Sequence, residues 1–263
     1  MDPVRSAEMT WRQVEAAVGR GAAAIFPMAS TEEHGPHVPM GDFLATEEIA
    51  VRVARRTGDV VFPCLPFGYS EYFRRYPGTL TLQDDTLFRV VEDVVNCLID
   101  HGFVHIVLFN GHKGNGPTLG HLIRKIRRCR GLLIPIVSPL GLALTPDVTQ
   151  ELYGQAKIGH GGEPMGSIMM YLFPDLVDLG LAEEWMVKDF HGLQPSGFSG
   201  VVFEGGEVGL ALDMEDMAPP SGSLSDPRLA TTERGKQIVQ RAVDLLARFM
   251  QWFKGIDPHV KAG

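Results

Sequence analysis

The sequence predicts an α/β fold: three layers, α/β/α, around a mostly parallel sheet, in one domain spanning residues 1–263. Three observations lead there. Short runs of apolar, β-branched and aromatic residues alternate with stretches of helical periodicity, the pattern of a parallel sheet covered on both faces. The 263 residues are 44% hydrophobic and 21% charged, which can supply one sizeable core. Two histidine-bearing turns, TEEHGPH and NGHKGN, follow strands directly, and parallel sheets place ligands beyond the carboxyl ends of their strands.

In chain order, residues 22–27 read as a buried strand that leaves through a proline. A helix starts at Asp42 and carries Ala45, Ile49 and Val53 on one face. Residues 60–65 are a short strand. Residues 84–100 form an amphipathic helix, with Leu87, Val90, Val91, Val94 and Leu98 at helical spacing. The clearest strand is 104–109, rich in β-branched and aromatic residues, and it runs into NGHKGNG. A helix to about Arg128, a strand over 132–137 and a helix over 163–172 with Pro164 in its first turn come next. Residues 189–224, rich in Gly, Pro and acids, read as loops or a small hairpin beside the site. The last helix covers 232–253, with Ile238, Ala242, Leu245 and Phe249 on one face. No internal repeat is present.

Composition excludes several classes of function. The net charge is −8, against the basic surface that general nucleic-acid binding needs. The basic run RKIRRCR at 124–130 reads as the solvated face of a helix. No apolar run reaches the roughly 20 residues that cross a bilayer, so no membrane partner is expected. The start, MDPVRSAEMT, has no basic-then-apolar leader pattern. Cys64, Cys97 and Cys129 form no CxxC pair, which argues against a thiolate zinc site or a disulfide framework and for a cytoplasmic protein.

Three clusters carry chemistry. Glu32 and His34 are two residues apart, so in an extended segment both point to one side, and Asp42 follows eight residues after His34. His112 lies in NGHKGN, and His160 and Glu163 lie in GHGGEP. Mixed carboxylate and imidazole donors suit Zn²⁺, Mn²⁺ or Fe²⁺.

Four stretches resemble motifs of the creatininase (creatinine amidohydrolase) family. STEEHGPHVPMGD resembles its E-x-H-G-P-H segment with a following Asp, and GYSEYFRRYPGTLTL its G-Y-S…P-G-T segment. VLFNGHKGN resembles its N-G-H segment, and GHGGEPMGSIMMYLFPDLVDLG its H-x-G-E segment with the helix after it. The resemblance implies a creatininase-like α/β/α fold and a homo-oligomer, often a hexamer. It implies two divalent ions per chain, Zn²⁺ and/or Mn²⁺ with Fe²⁺ also suitable, held by Glu32, His34, Asp42, His112 and Glu163, with Asp42 as the bridge. His160 would be the general acid/base, because histidine exchanges a proton near neutral pH.

The chain departs from creatininase itself in telling places. The turn between His34 and Asp42 is one residue shorter. Gly114 stands where creatininase has a metal-binding Glu, with Glu163 expected to supply a carboxylate instead. Lys113 replaces a Tyr and Ala156 a Trp that clasp creatinine, and Lys157 and Gly159 replace acidic or apolar neighbours. Creatinine is therefore not the expected substrate. Tyr69, Ser70, Lys113 and Lys157 are the expected substrate contacts, with Arg74 and Arg75 placed to close over the site. Two reactions remain open for a small polar, cyclic substrate: hydrolysis of a C–N bond in an amide or cyclic amide, or C–C hydrolysis opening a keto-inositol such as 3-dehydro-scyllo-inosose.

Overall fold

The computed structural model describes residues 3–261. Helix α1 (Trp11–Gly19) opens on Thr10, which forms a capping box with Gln13. Strand β1 (Ala24–Met28), helix α2 (Asp42–Thr57), strand β2 (Val60–Val61), helix α3 (Asp84–Asp100), strand β3 (Ile106–Asn110), helix α4 (Gly116–Arg130) and strand β4 (Ile136–Val137) follow. The four strands pair in parallel in the order β2-β1-β3-β4.

Side chains alternate across the central strands and so build two cores. Ile25, Val107 and Phe109 face α2, α7 (Met165–Leu172) and α9 (Thr232–Lys254), reached through the short helices α5 (Pro139–Ala143) and α6 (Pro146–Tyr153). Phe26, Met28, Ile106 and Leu108 face α3 and α4. The three expected layers are present. Asp59 pins the first layer to the sheet: its buried Oδ1 accepts from the Ala23 N–H (2.9 Å) and the Lys254 ammonium (2.7 Å).

The outer strands are shorter than their sequence patterns suggest. Residues 60–65 yield only β2 and residues 132–137 only β4. Prolines explain this, since Pro63, Pro66 and Pro135 bring no N–H to the ladder. Pro27 adds to it: the carbonyls of Ile25 and Pro27 both accept from the β2 segment (Phe62 at 2.9 Å, Leu65 at 3.0 Å), so the N–H that Pro27 lacks would have faced that same edge. Helix α7 begins at Met165, with Pro164 just ahead of its first turn instead of inside it.

Residues 189–224 contain an antiparallel hairpin, β5 (Gly200–Phe203) with β6 (Gly206–Gly209), and a short helix α8 (Met214–Met217). The feature that positions the site is the register of the central pair. Met28 lies opposite Asn110, so the segments leaving β1 and β3 emerge side by side.

Candidate metal centre

The chain leaving β1 carries Ser30, Glu32 and His34, and is held by the Glu32 N–H bonded to the Met40 carbonyl at 2.8 Å. Asp42, the first residue of α2, accepts the Ser30 N–H on Oδ1 at 2.7 Å. That bond reaches twelve residues back and folds the His34-to-Asp42 turn over the end of the sheet. His112 follows β3. Asn115, to which the sequence reading gave no role, laces the loops together: Oδ1 accepts from Tyr69 N–H (2.9 Å), and Nδ2 donates to Ala29 O (3.2 Å) and to Asn110 Oδ1 (3.2 Å). Its place one turn into the next helical segment is a signal that the NGHKGN motif alone does not isolate.

Two triads of donors result, Glu32–Asp42–His112 and Glu32–His34–His160. Glu32 is common to both. Its Oε2 lies 3.1 Å from His112 Nδ1, and its Oε1 lies 3.8 Å from His34 Nε2 and 4.0 Å from His160 Nδ1. Asp42 Oδ2 lies 3.7 Å from His112 Nδ1. All five side chains are at most 13% exposed.

The three imidazoles share one arrangement. In each, one ring nitrogen faces a main-chain carbonyl: His112 Nε2 with Tyr69 O (2.7 Å), His34 Nδ1 with Glu32 O (3.1 Å), His160 Nε2 with Glu33 O (2.6 Å). A carbonyl only accepts, so that nitrogen carries the hydrogen, and the other nitrogen turns its lone pair toward Glu32. Carboxylate oxygens and imidazole lone pairs converging in a buried space are the donor set of a divalent transition metal, and the residues fit such an ion.

The electrostatics agree. Burial works against the charge on Glu32, but His112, by charge and hydrogen bond, with His34 and His160, holds its pKa down to about 2. Burial likewise opposes a charged His112, yet Glu32 and Asp42 raise its pKa well above the ordinary histidine value. His34 is lowered, by burial first and then by the like charge of His160.

The other expected site residues lie as follows. The Glu163 carboxylate is fully buried and takes hydrogen bonds from Tyr153 (2.6 Å) and from Ser167 (2.7 Å to each oxygen); it belongs to neither triad. His160, expected as an acid/base, stands inside the second triad. Ser70 is fully buried, donating to Glu32 Oε2 at 2.5 Å, so it supports the carboxylate from beneath and does not face solvent. Tyr69 contributes its main chain to His112 and Asn115, with its ring half-buried. Lys113 and Lys157 are exposed. Arg74 and Arg75 pair with Glu71 (3.3 Å) and Glu215 (3.7 Å).

Comparison with known proteins is consistent along nearly the whole chain. The sequence model of the family described as creatinine amidohydrolase matches residues 7–250. A creatinine amidohydrolase of Pseudomonas putida is 30% identical over 257 residues, 91% of this chain and 93% of that protein. A 3-dehydro-scyllo-inosose hydrolase of Thermotoga maritima is 27% identical over 263 residues, 92% of this chain and 81% of that protein. Two solved creatininase structures, a manganese form and a variant of Zn–Zn type, each give a TM-score of 0.78 at 29% identity. They cover 95% and 96% of this chain, and 98% of each of those chains.

Proposed function

The chain belongs to the creatininase family of metal-dependent hydrolases, and we propose that it holds two divalent ions and hydrolyses a small polar, cyclic, carbonyl-bearing substrate other than creatinine. The observation that carries this reading is the convergence of three oriented imidazole lone pairs and Asp42 on the single carboxylate of Glu32. We assign Glu32, Asp42 and His112 to one ion, and Glu32 and His34, with Asp42 near enough to act on His34, to the other. Two ions bound there would lower the pKa of a water and polarise the attacked carbonyl.

The protein's own groups do the rest. Ser70, by donating to Glu32, and the Tyr69 carbonyl, by fixing the His112 tautomer, keep the donors aimed. His160 presents Nδ1 to the centre, and we assign it the proton that the leaving atom needs. Glu163 we place as the anchor of Tyr153 and Ser167, not as a ligand.

Hydrolysis of a C–N bond is the first reading of the chemistry. A second, C–C hydrolysis of a keto-inositol as part of inositol catabolism, is favoured by one feature: Lys113 and Ala156 stand in place of an aromatic clasp with Lys157 beside them, and ammonium groups suit an oxygen-rich ring. The similarity to the Thermotoga maritima hydrolase points the same way. A cytoplasmic homo-oligomer remains part of the proposal; among the described residues no helix is long and apolar enough to cross a membrane. The experiment is elemental analysis paired with turnover on creatinine, a lactam, a formamide and 3-dehydro-scyllo-inosose. Two ions per chain with activity on an amide or on the keto-inositol supports one reading or the other. A chain that binds no metal when supplied with Zn²⁺ or Mn²⁺ overturns both.

A further inference from the structure

We propose that the Tyr72 hydroxyl is a substrate-binding donor of this centre, reaching an acceptor oxygen of the bound molecule, and that it has this place because residue 114 has no side chain. The inference rests on the metal-hydrolase reading and adds to it a residue that no motif assigns.

Three polar atoms converge on the space above Gly114. A Cβ on that residue would stand 2.4 Å from each of Tyr72 Oη, His112 Nε2 and the Tyr69 carbonyl oxygen, far inside contact distance. A side chain at 114 and the phenol of Tyr72 are therefore mutually exclusive. Where a carboxylate would rise from position 114 beside His112, this chain puts a phenol from the short 3-10 turn Glu71–Phe73 that follows Ser70.

The phenol is packed on two sides. Its ring stacks on Phe198 (centroids 4.3 Å apart, 8° between planes) and meets Phe73 edge-on (4.6 Å, 78°). Phe73 in turn stacks on His160 (4.1 Å, 21°), so the ring that fixes Tyr72 also fixes the proposed proton carrier. Phe198 comes from the segment just ahead of β5, which gives that hairpin region a reason to pack against the site.

The hydroxyl hydrogen is uncommitted. Tyr72 Oη lies 3.3 Å from His112 Nε2, but that nitrogen already spends its N–H on the Tyr69 carbonyl at 2.7 Å and so offers no lone pair. Oη can accept there; it cannot donate. A half-buried donor without an acceptor, beside two carboxylates and a metal-ligating imidazole, fits a molecule that brings an oxygen acceptor. The class of ligand is a carbonyl, carboxylate or hydroxamate oxygen.

The test uses full-length protein loaded with Co²⁺, with acetohydroxamate as the probe and the visible absorbance of the cobalt as the readout, comparing wild type with Tyr72→Phe. The phenylalanine keeps the ring and its stacking. Tyr72→Phe should load the same number of cobalt ions, yet bind acetohydroxamate about tenfold more weakly, the scale of one hydrogen bond lost. Equal affinity in the two proteins overturns the proposal, as does loss of cobalt from Tyr72→Phe, which would make Tyr72 a part of the metal site and not of the substrate site. Failure of the wild type itself to bind cobalt would instead sink the metal-hydrolase reading. Gly114→Ala, which pushes against the same hydroxyl from the other side, should weaken the probe as well; unchanged probe binding in that variant counts against the proposal.

Discussion

His34 and His160 lie stacked, with ring centroids 4.6 Å apart and planes 25° from parallel, although 126 residues separate them in sequence. Each is tethered to the main chain of the Glu32–Glu33 segment, so one short stretch of backbone orients both rings. The pair sorts by charge: burial and the neighbouring His160 lower the pKa of His34, while Glu33 outweighs burial and raises that of His160. Of these two rings, His160 is the one that more readily takes up a proton and so the better placed to carry it. His160→Ala should therefore keep both ions while turnover falls by about 10²–10⁴-fold, the scale of a positioned acid/base. Elemental analysis beside steady-state kinetics checks it; loss of an ion would make His160 a ligand.

Glu32 and Glu163 should behave in opposite ways. Glu32→Ala removes the carboxylate shared by both triads, and its metal content should drop from two ions per chain to fewer than one. Glu163→Gln keeps an acceptor for Tyr153 and Ser167 and should retain both ions. Two ions in Glu32→Ala, or none in Glu163→Gln, would reverse the assignment.

Metal loading should depend on pH in a definite direction. Despite burial, Glu32 and Asp42 raise the pKa of His112 in the metal-free protein, so a proton competes for that ring at pH values where an ordinary histidine is already neutral. Apparent Zn²⁺ affinity should keep rising as pH is taken above about 6.5, the unperturbed histidine value. A competition titration at several pH values would show it; a flat profile above neutrality contradicts the direction.

Stability should be sensitive at Asp59. Its carboxylate is buried, and Lys254 is the cation that meets it. Lys254→Met leaves an uncompensated buried charge and should cost roughly 3 kcal/mol, at the low end for such a deletion because Lys254 itself keeps some water contact. Urea unfolding of the two proteins measures it, and a change below about 0.5 kcal/mol, the range of ordinary surface substitutions, would show that the pair carries no weight.

The three thiols should separate kinetically. Cys97 and Cys129 are exposed, whereas burial, with Glu47 and Asp42, pushes the Cys64 thiol well above its ordinary pKa. A chromogenic disulfide reagent at pH 8 should titrate two thiols quickly and the third only on unfolding. Three fast thiols would mean that the start of α2 opens readily.

The fold was legible because its signals are local. The hydrophobic period of α3 and the β-branched run of β3 state their own structure, and α3 spans the residues that its spacing predicts. The short outer strands were not, because a strand pattern does not reveal which of its N–H groups will find a partner, and prolines such as Pro63 and Pro135 decide that. At the site, Glu32, His34, Asp42 and His112 could be read from residue type and motif. The hydrogen bonds of Glu163 could not: the hydroxyls that meet it belong to Tyr153 and Ser167, and nothing in its own motif announces Tyr153. Asn115 and Tyr72 escaped for a similar reason, since their meaning lies in which loops they join.

The donors are spread from Glu32 to His160, and each triad joins segments that lie far apart in sequence. Any ion held there would be released on unfolding, and free ion would then oppose unfolding by mass action, about 2.7 kcal/mol for a site at a hundredfold excess over its dissociation constant. With the centre loaded as proposed, the working life of the protein in a metal-poor medium would be set by the metal supply as much as by its core. A chelator would act on it first as a denaturant, visible in heat and protease resistance, before any substrate is added.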